Sequence, residues 1–253
     1  MGLVHSTKSV VKDGLILYLD AVNPRSNPGG NIWNDLSGVI GNVNINNRNF
    51  DWYFTTDPTT GLPCLYNDNN RSSGNSPGID IPLDNGFNKL EGTIQMWLKP
   101  SGDHIGGHGW FNNSDGSFHT NASNWFWVGT WENSGTLYFR IGNADTCCND
   151  TTVSNFRIAY PLDVWNLWTV SWNVLAGRTS IYKNLYPISQ RINMPTNIPN
   201  TNPTNTGQLF NGHTRGDNMQ FKGYCNTYKI YNRELTASEI EQNFDAFRGR
   251  FGI

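Results

Sequence analysis

The feature that most restricts this chain is strict alternation in two stretches, GTIQMWLKP from Gly92 to Pro100 and NLWTVSWNV from Asn166 to Val174. In the first, Ile94, Met96 and Leu98 fall on one face and Trp97 on the other. In the second, Trp168, Val170, Trp172 and Val174 oppose Leu167, Thr169, Ser171 and Asn173. A period of two is the side-chain spacing of an extended strand. Similar short runs, GLILYLDA from Gly14, GIDIPL from Gly78 and TSIYKN from Thr179, recur between turn-forming clusters such as NPRSNPGG. No amphipathic helices lie between them to carry parallel crossovers, so the expected class is all-β, a two-sheet antiparallel sandwich.

Composition supports that class. Ten Trp, 10 Tyr, 13 Phe and 26 Gly in 253 residues supply rings for sheet faces and glycine for turns, in one large domain. Eighteen Lys and Arg against 20 Asp and Glu leave a net charge of −2, without the basic field that draws a protein onto nucleic acid or an anionic membrane. No window reaches the roughly 18 apolar residues of a membrane span, and MGLVHSTKSVVKDG has no apolar core of a leader. The expectation is a soluble chain with no readable secretion signal.

One helix is written at the C-terminus, in LTASEIEQNFDAFRGRFG. Thr236 followed by Glu239 forms a capping box, Ile240, Phe244 and Phe247 share a stripe, and Gly249 after Arg248 is the expected stop. The prolines and asparagines of Met194 to Gly207 predict an extended surface loop. Of four cysteines (Cys64, Cys147, Cys148, Cys225), two are adjacent and none fits a zinc spacing. They read as mostly free thiols, with a Cys64 to Cys225 bridge left open.

The densest aromatic stretch is NWFWVGTWENSGTLYFRIG, Asn124 to Gly142. A three-residue hairpin loop with Gly135 left-handed would pair Glu132 with Thr136 and set Trp131 against Leu137 and Trp127 against Ile141. The tryptophans would then face the core. A two-residue loop would instead shift the register by one and bring Trp127 and Trp131 beside Tyr138 and Arg140, a surface suited to sugar stacking.

The two ends carry a resemblance. SVVKDGLILYLDAVNPRS from Ser9 with WNDLSG from Trp33, and FKGYCNTYKIYNRELTASEIEQNFDAFRGRFG from Phe221, resemble concanavalin A-like, laminin-G-like jelly-roll domains found in virion proteins of tailed bacteriophages. Between them GTIQMWLKP resembles that family's T-x-E-x-W-x-K-P strand, with Gln95 where an acidic residue is common. WNLWTVSWN resembles its tryptophan strand, and SIYKNLYP its Y-x-N-G hairpin, with Leu185 for glycine. The resemblance runs from about Ser9 to Gly252, which implies an N-terminal arm at 1–8 and a jelly-roll domain at 9–253. It implies first and last strands side by side, calcium in some members, and roles in glycan binding or virion architecture; a fold of this kind fixes no single function.

Glycanases on this fold carry paired carboxylates on one strand, typically E-x-D-x-x-E, and no such pattern occurs here, so a non-enzymatic protein is expected. Nucleophile elbow, Walker loop and H-E-x-x-H are absent, and the glycines between His104 and His108 argue against a helical metal pair. Calcium donors would be Asp68 and Asn69, Asp80, and Asp217 with Asn218, in loops that also form Asx-turns without an ion. Glycan contacts would be Trp110 and Phe111 in GHGWFNNSDG and Trp52 and Tyr53 in FDWYFTT, rings flanked by Asn and Asp that alternatively plug the sandwich ends.

The first expectation is therefore a surface protein of a tailed-phage virion: a capsid decoration, head-fibre or tail-fibre component, homo-oligomeric and held by contacts with other virion proteins. The second is a lectin-like module for host-surface glycans.

Overall fold

The computed structural model describes residues 8–46, 52–67, 78–83, 86–101, 109–114, 125–131, 136–142, 154–157, 161–192, 206–210 and 221–253. Its strands are β1 (Leu15–Asp20), β2 (Ile32–Trp33), β3 (Val43–Asn44), β4 (Tyr53–Thr56), β5 (Pro63–Asn67), β6 (Ile79–Pro82), β7 (Glu91–Pro100), β8 (Gly109–Ser114), β9 (Trp125–Trp131), β10 (Thr136–Gly142), β11 (Ser154–Arg157), β12 (Asn166–Asn173), β13 (Arg178–Lys183), β14 (Tyr186–Ile192), β15 (Thr206–Leu209) and β16 (Gly223–Tyr231), followed by helix α1 (Ala237–Phe247).

Fourteen of them form two antiparallel sheets, and β2 pairs with β3 in a separate two-stranded ribbon. One sheet runs β14-β13-β12-β7-β16-β5-β4, with β1 also on β16; the other runs β11-β10-β9-β8-β15-β6. The free side of β16 is divided, Gly223 to Cys225 pairing with β5 and Thr227 to Tyr231 with β1. First and last strands are therefore neighbours, as the resemblance implies.

Alternation reads directly into layers. Ile94, Met96, Leu98, Trp168, Val170 and Trp172 point between the sheets, meeting Phe111, Phe126 and Val128 of the facing sheet. Trp97 and Leu167 point the other way, where Phe244 and Phe247 of α1 cover them. Trp97 lies stacked between Phe244 and Phe251, at 5.7 and 4.1 Å. That second covered face explains why β7 is buried along nearly its whole length.

The capping box of α1 is complete: Glu239 N–H donates to the Thr236 hydroxyl, and Thr236 N–H to the Glu239 carboxylate. Beneath the helix Asn243 donates to Gln95 at 2.6 Å and to the Tyr231 hydroxyl at 2.9 Å, while Gln95 donates to Thr169 at 3.0 Å. Gln95 thus ties the helix to two strands. The helix does not stop at Gly249: a 3-10 turn over Arg248–Arg250 continues the winding, and the left-handed glycine is Gly252, with φ +72°. Of the run expected as a surface loop, Thr206 and Gly207 open β15 and the rest lies outside the described residues.

Cys225 pairs in register with Leu65, so Cys64, one residue away, points to the opposite face of the sheet. Both are buried free thiols, Cys225 in the inter-sheet core and Cys64 under the helix. The bridge left open by the sequence is excluded by geometry.

Candidate functional site

Three of the four expected glycan contacts are core residues. Trp110 and Phe111 lie in β8 and are fully buried, and Trp52 is buried against Phe210, ring centres 4.7 Å apart. The register with β9 slips between Gly109 and Phe111. This bulge lets two consecutive aromatics enter the core where strict alternation would send one outward. The Trp110 ring lies 5.3 Å from Trp168, and its carbonyl accepts from the Tyr228 hydroxyl at 3.0 Å. A ring with no exposed face cannot stack on a sugar. Tyr53, 47% exposed, is the one of the four that remains available.

Among the calcium donors, the Asp80 carboxylate accepts from Gln208 at 2.9 Å. Asp68, Asn69, Asp217 and Asn218 lie outside the described residues, as do His104 and His108. Among the described residues no group of three or more His, Cys, Asp or Glu is placed to hold a metal.

The aromatic hairpin adopts the shifted register. Thr136 pairs with Trp131, Tyr138 with Gly129 and Arg140 with Trp127, one residue out of step with the pairing of a three-residue loop; residues 132–135 lie outside the described residues. Phe126 and Val128 face the core, and Trp127 takes the outer side. On that side a row runs Asp80, Gln208, Asn112, Trp127 across four strands. Trp127 and Asn112 are only 3% and 6% exposed, so the row is not an open platform.

The accessible aromatic array lies on the other sheet. Register aligns Tyr53 of β4, Tyr66 of β5 and Tyr224 of β16 in one row, beside Lys99 of β7. Tyr53 meets Tyr66 edge to face at 5.6 Å, and Tyr66 meets Tyr224 at 4.4 Å with planes 34° apart. The Lys99 ammonium is 5.2 Å from the centre of the Tyr224 ring. Exposed Leu162 and Val164 lie in the segment leading to Trp165, whose ring is 6.5 Å from that of Tyr224.

A buried ionic cluster anchors this ladder. Asp57, in the turn joining β4 to β5, is fully buried; one carboxylate oxygen accepts from Lys99 at 2.7 Å, the other from Trp165 Nε1 at 3.0 Å and from the Thr60 N–H and hydroxyl at 3.0 and 2.6 Å. Lys99 also donates to the Thr59 hydroxyl at 2.7 Å. Gly61, left-handed at φ +72°, closes the turn by donating to the Asp57 carbonyl. Burial pushes the Asp57 carboxyl up, but hydrogen bonds from Lys99, Thr60 and Trp165 outweigh it and hold the group at about 2. Burial, with Asp57 nearby, raises the Tyr224 phenol, which therefore stays protonated and able to donate. Sequence reading found Tyr53 alone. Tyr66, Tyr224, Asp57, Lys99 and Trp165 meet only through pairings between distant strands.

The arrangement offers a rigid, amphipathic strip of apolar ring surface with phenol hydroxyls, on an antiparallel two-sheet sandwich. The sequence matches, over residues 73–241, the laminin G-like family described as the concanavalin A-like lectin/glucanases superfamily, and the chain belongs to that family. No curated protein sequence matches it. Among solved structures it is similar to Trypanosoma rangeli sialidase in complex with sialic acid, at TM-score 0.59 and 13% identity, covering 93% of this chain and 33% of that one. It is similar also to the binding domain of Paraclostridial Mosquitocidal Protein 1, at 0.57 and 14%, covering 93% and 53%. Domain 4 of AbnA, a GH43 extracellular arabinanase from Geobacillus stearothermophilus in complex with arabinotriose, matches at 0.54 and 16%, covering 90% and 97%. The chain thus spans a third of the first and about half of the second, and identities this low establish shared fold alone.

Proposed function

We propose that this chain is a non-catalytic, lectin-like binding module that contacts glycan at the Tyr53–Tyr66–Tyr224 ladder. The observation that carries the reading is the exposure of Tyr53 at the end of a ladder buttressed by the Asp57–Lys99–Trp165 cluster, since a ring held rigid before binding loses little entropy on contact. Four of the described carboxylates are held in ion pairs: Asp57 by Lys99, Asp20 by Arg250, Glu234 by Arg178 and Glu239 by Arg233. A carboxyl held at about 2 carries no proton to donate near neutrality. Two of the similar structures, by their own descriptions, hold a sugar.

A second reading, a structural subunit of a tailed-phage virion held by protein contacts, draws on the resemblance of the chain ends and on β14. That strand forms an edge of its sheet and opens with Tyr186, 75% exposed, next to exposed Leu185. An uncovered edge with apolar residues favours pairing with another copy or another protein.

The deciding experiment titrates the purified chain with an oligosaccharide panel, with and without calcium, while its mass in solution is recorded. Saccharide binding that Tyr53→Ala abolishes without changing the melting temperature supports the module. A stable oligomer that binds no saccharide, yet attaches to phage particles, replaces it with the virion subunit.

A further inference from the structure

A second concavity opens beside β1, away from the ladder strands β4 and β5. It is a cleft of about 490 Å³ walled by Val10, Leu15 and Leu36, with half-buried Tyr18 between them and exposed Lys12 and Arg25 at its rim. The volume falls in the range of small-ligand sites. Tyr18 is fixed from behind: its ring meets Phe247 edge to face at 6.4 Å, and its hydroxyl donates to Asp20 at 3.1 Å. The segment opposite is fixed as well, Leu36 N–H donating to the Tyr18 carbonyl and Tyr18 N–H to the Asp35 carboxylate, both at 2.8 Å.

The charges around this cleft do not balance. Among the described residues neither Lys12 nor Arg25 has a carboxylate within ion-pair distance. The carboxylates of the adjoining segments are committed elsewhere: Asp20 to both terminal nitrogens of Arg250 at 2.8 and 2.9 Å, and Asp13 to Arg233 at 2.8 Å. Asp35 takes N–H groups of Tyr18, Ser37 and Gly41 and the Ser37 hydroxyl. An apolar cleft with an aromatic wall and two uncompensated cations suits a ligand with both a hydrophobic face and an anion.

We propose that this cleft binds an acidic saccharide, its carboxylate or sulfate held by Lys12 and Arg25 and its ring lying on Tyr18. The assignment rests on the reading of the chain as a glycan-binding module and adds a second subsite with its own charge preference.

The test uses the full chain and three probes, trigalacturonate, sialyllactose and a sulfated chondroitin disaccharide, each beside its neutral counterpart, with sodium sulfate as the bare anion. At least one acidic probe is expected to bind about tenfold more tightly than its neutral form, and the Lys12→Ala/Arg25→Ala double variant to remove that preference with an unchanged melting temperature. Equal affinity for acidic and neutral forms, or a preference untouched by the double variant, overturns the cleft. If Tyr53→Ala still abolishes neutral binding in that case, the ladder reading stands by itself. Binding of sulfate with no saccharide bound overturns both.

Discussion

The ammonium nitrogen of Lys229 lies 4.3 Å from the centre of the Phe247 ring, fully buried and with no hydrogen-bond partner among the described residues. Phe247 belongs to α1 and Lys229 to the central strand β16, so this cation–ring contact sits at the junction of helix and sheet. Arg250 approaches the same ring at 4.5 Å, and its own charge is balanced by Asp20. Lys229 is left as the uncompensated cation.

Burial pushes the Lys229 ammonium from its ordinary 10.5 down to about 7, with Asp20 raising it and Arg250 lowering it further. Between about 7 and 10.5 the unfolded chain binds a proton that the folded chain does not, so this residue makes stability rise with pH across that window; below it the cost of the buried charge is complete. Lys229→Met keeps length and removes the charge. It is expected to be more stable than the parent at pH 7 and to show a flatter rise from pH 7 to 10 in urea midpoints. Parallel curves for the two proteins would contradict this assignment.

Asp57 gives a dependence of the same sign in a lower pH window. Its carboxyl, lowered from 3.8 to about 2 by its donors, stabilises the fold fully above about pH 4 and loses that contribution as pH falls toward 2. Asp57→Asn leaves the Lys99 ammonium buried without a counter-ion, a change costing about 3–5 kcal/mol in comparable pairs. Denaturant midpoints should differ strongly between parent and variant at pH 7, and the gap should narrow at pH 2.5.

The layers were legible in the sequence because each rests on local periodicity: Trp97 opposite Ile94, Met96 and Leu98 follows from alternation alone, and the capping box needs only Thr236 and Glu239. What failed depended on one inserted or omitted residue. Glu132 to Gly135 suits a three- or a two-residue loop, and the one-residue difference in register sends Trp127 to the outer face. The bulge at Trp110 leaves no mark in GWFNN, so buried rings resembled loop rings. The ladder was invisible for a different reason: Tyr66 and Tyr224 become neighbours only when β5 is assigned to β16, a long-range pairing that neither strand's own pattern specifies.

Gly92 provides a steric check on the core. A Cβ there would stand 2.3 Å from Cζ2 of Trp172, its cross-strand partner, and 2.9 Å from the Tyr231 carbonyl oxygen. The Trp172 ring cannot withdraw readily: its Nε1 donates to the Lys89 carbonyl at 3.0 Å, and Phe126 lies 4.8 Å away. Gly92→Ala is expected to lower stability by about 1–3 kcal/mol, the usual range for overpacking. A thermal midpoint equal to the parent's would mean that Trp172 has an alternative position.

Trp110 and Tyr53 separate packing from recognition. Trp110→Ala removes a buried indole between the sheets and should cost about 3–5 kcal/mol. Any saccharide binding it loses should then follow the fraction unfolded and recover under conditions that restore the fold. Tyr53→Ala removes a half-exposed ring from the end of the ladder, where little core volume is lost, and should leave the melting temperature within about a degree or two of the parent's. Its binding loss should persist in fully folded protein. Calorimetric titration of both variants at a temperature where each is folded distinguishes the cases: unchanged binding in Tyr53→Ala together with selective loss in folded Trp110→Ala would move the site from the ladder to the β8 side of the sandwich.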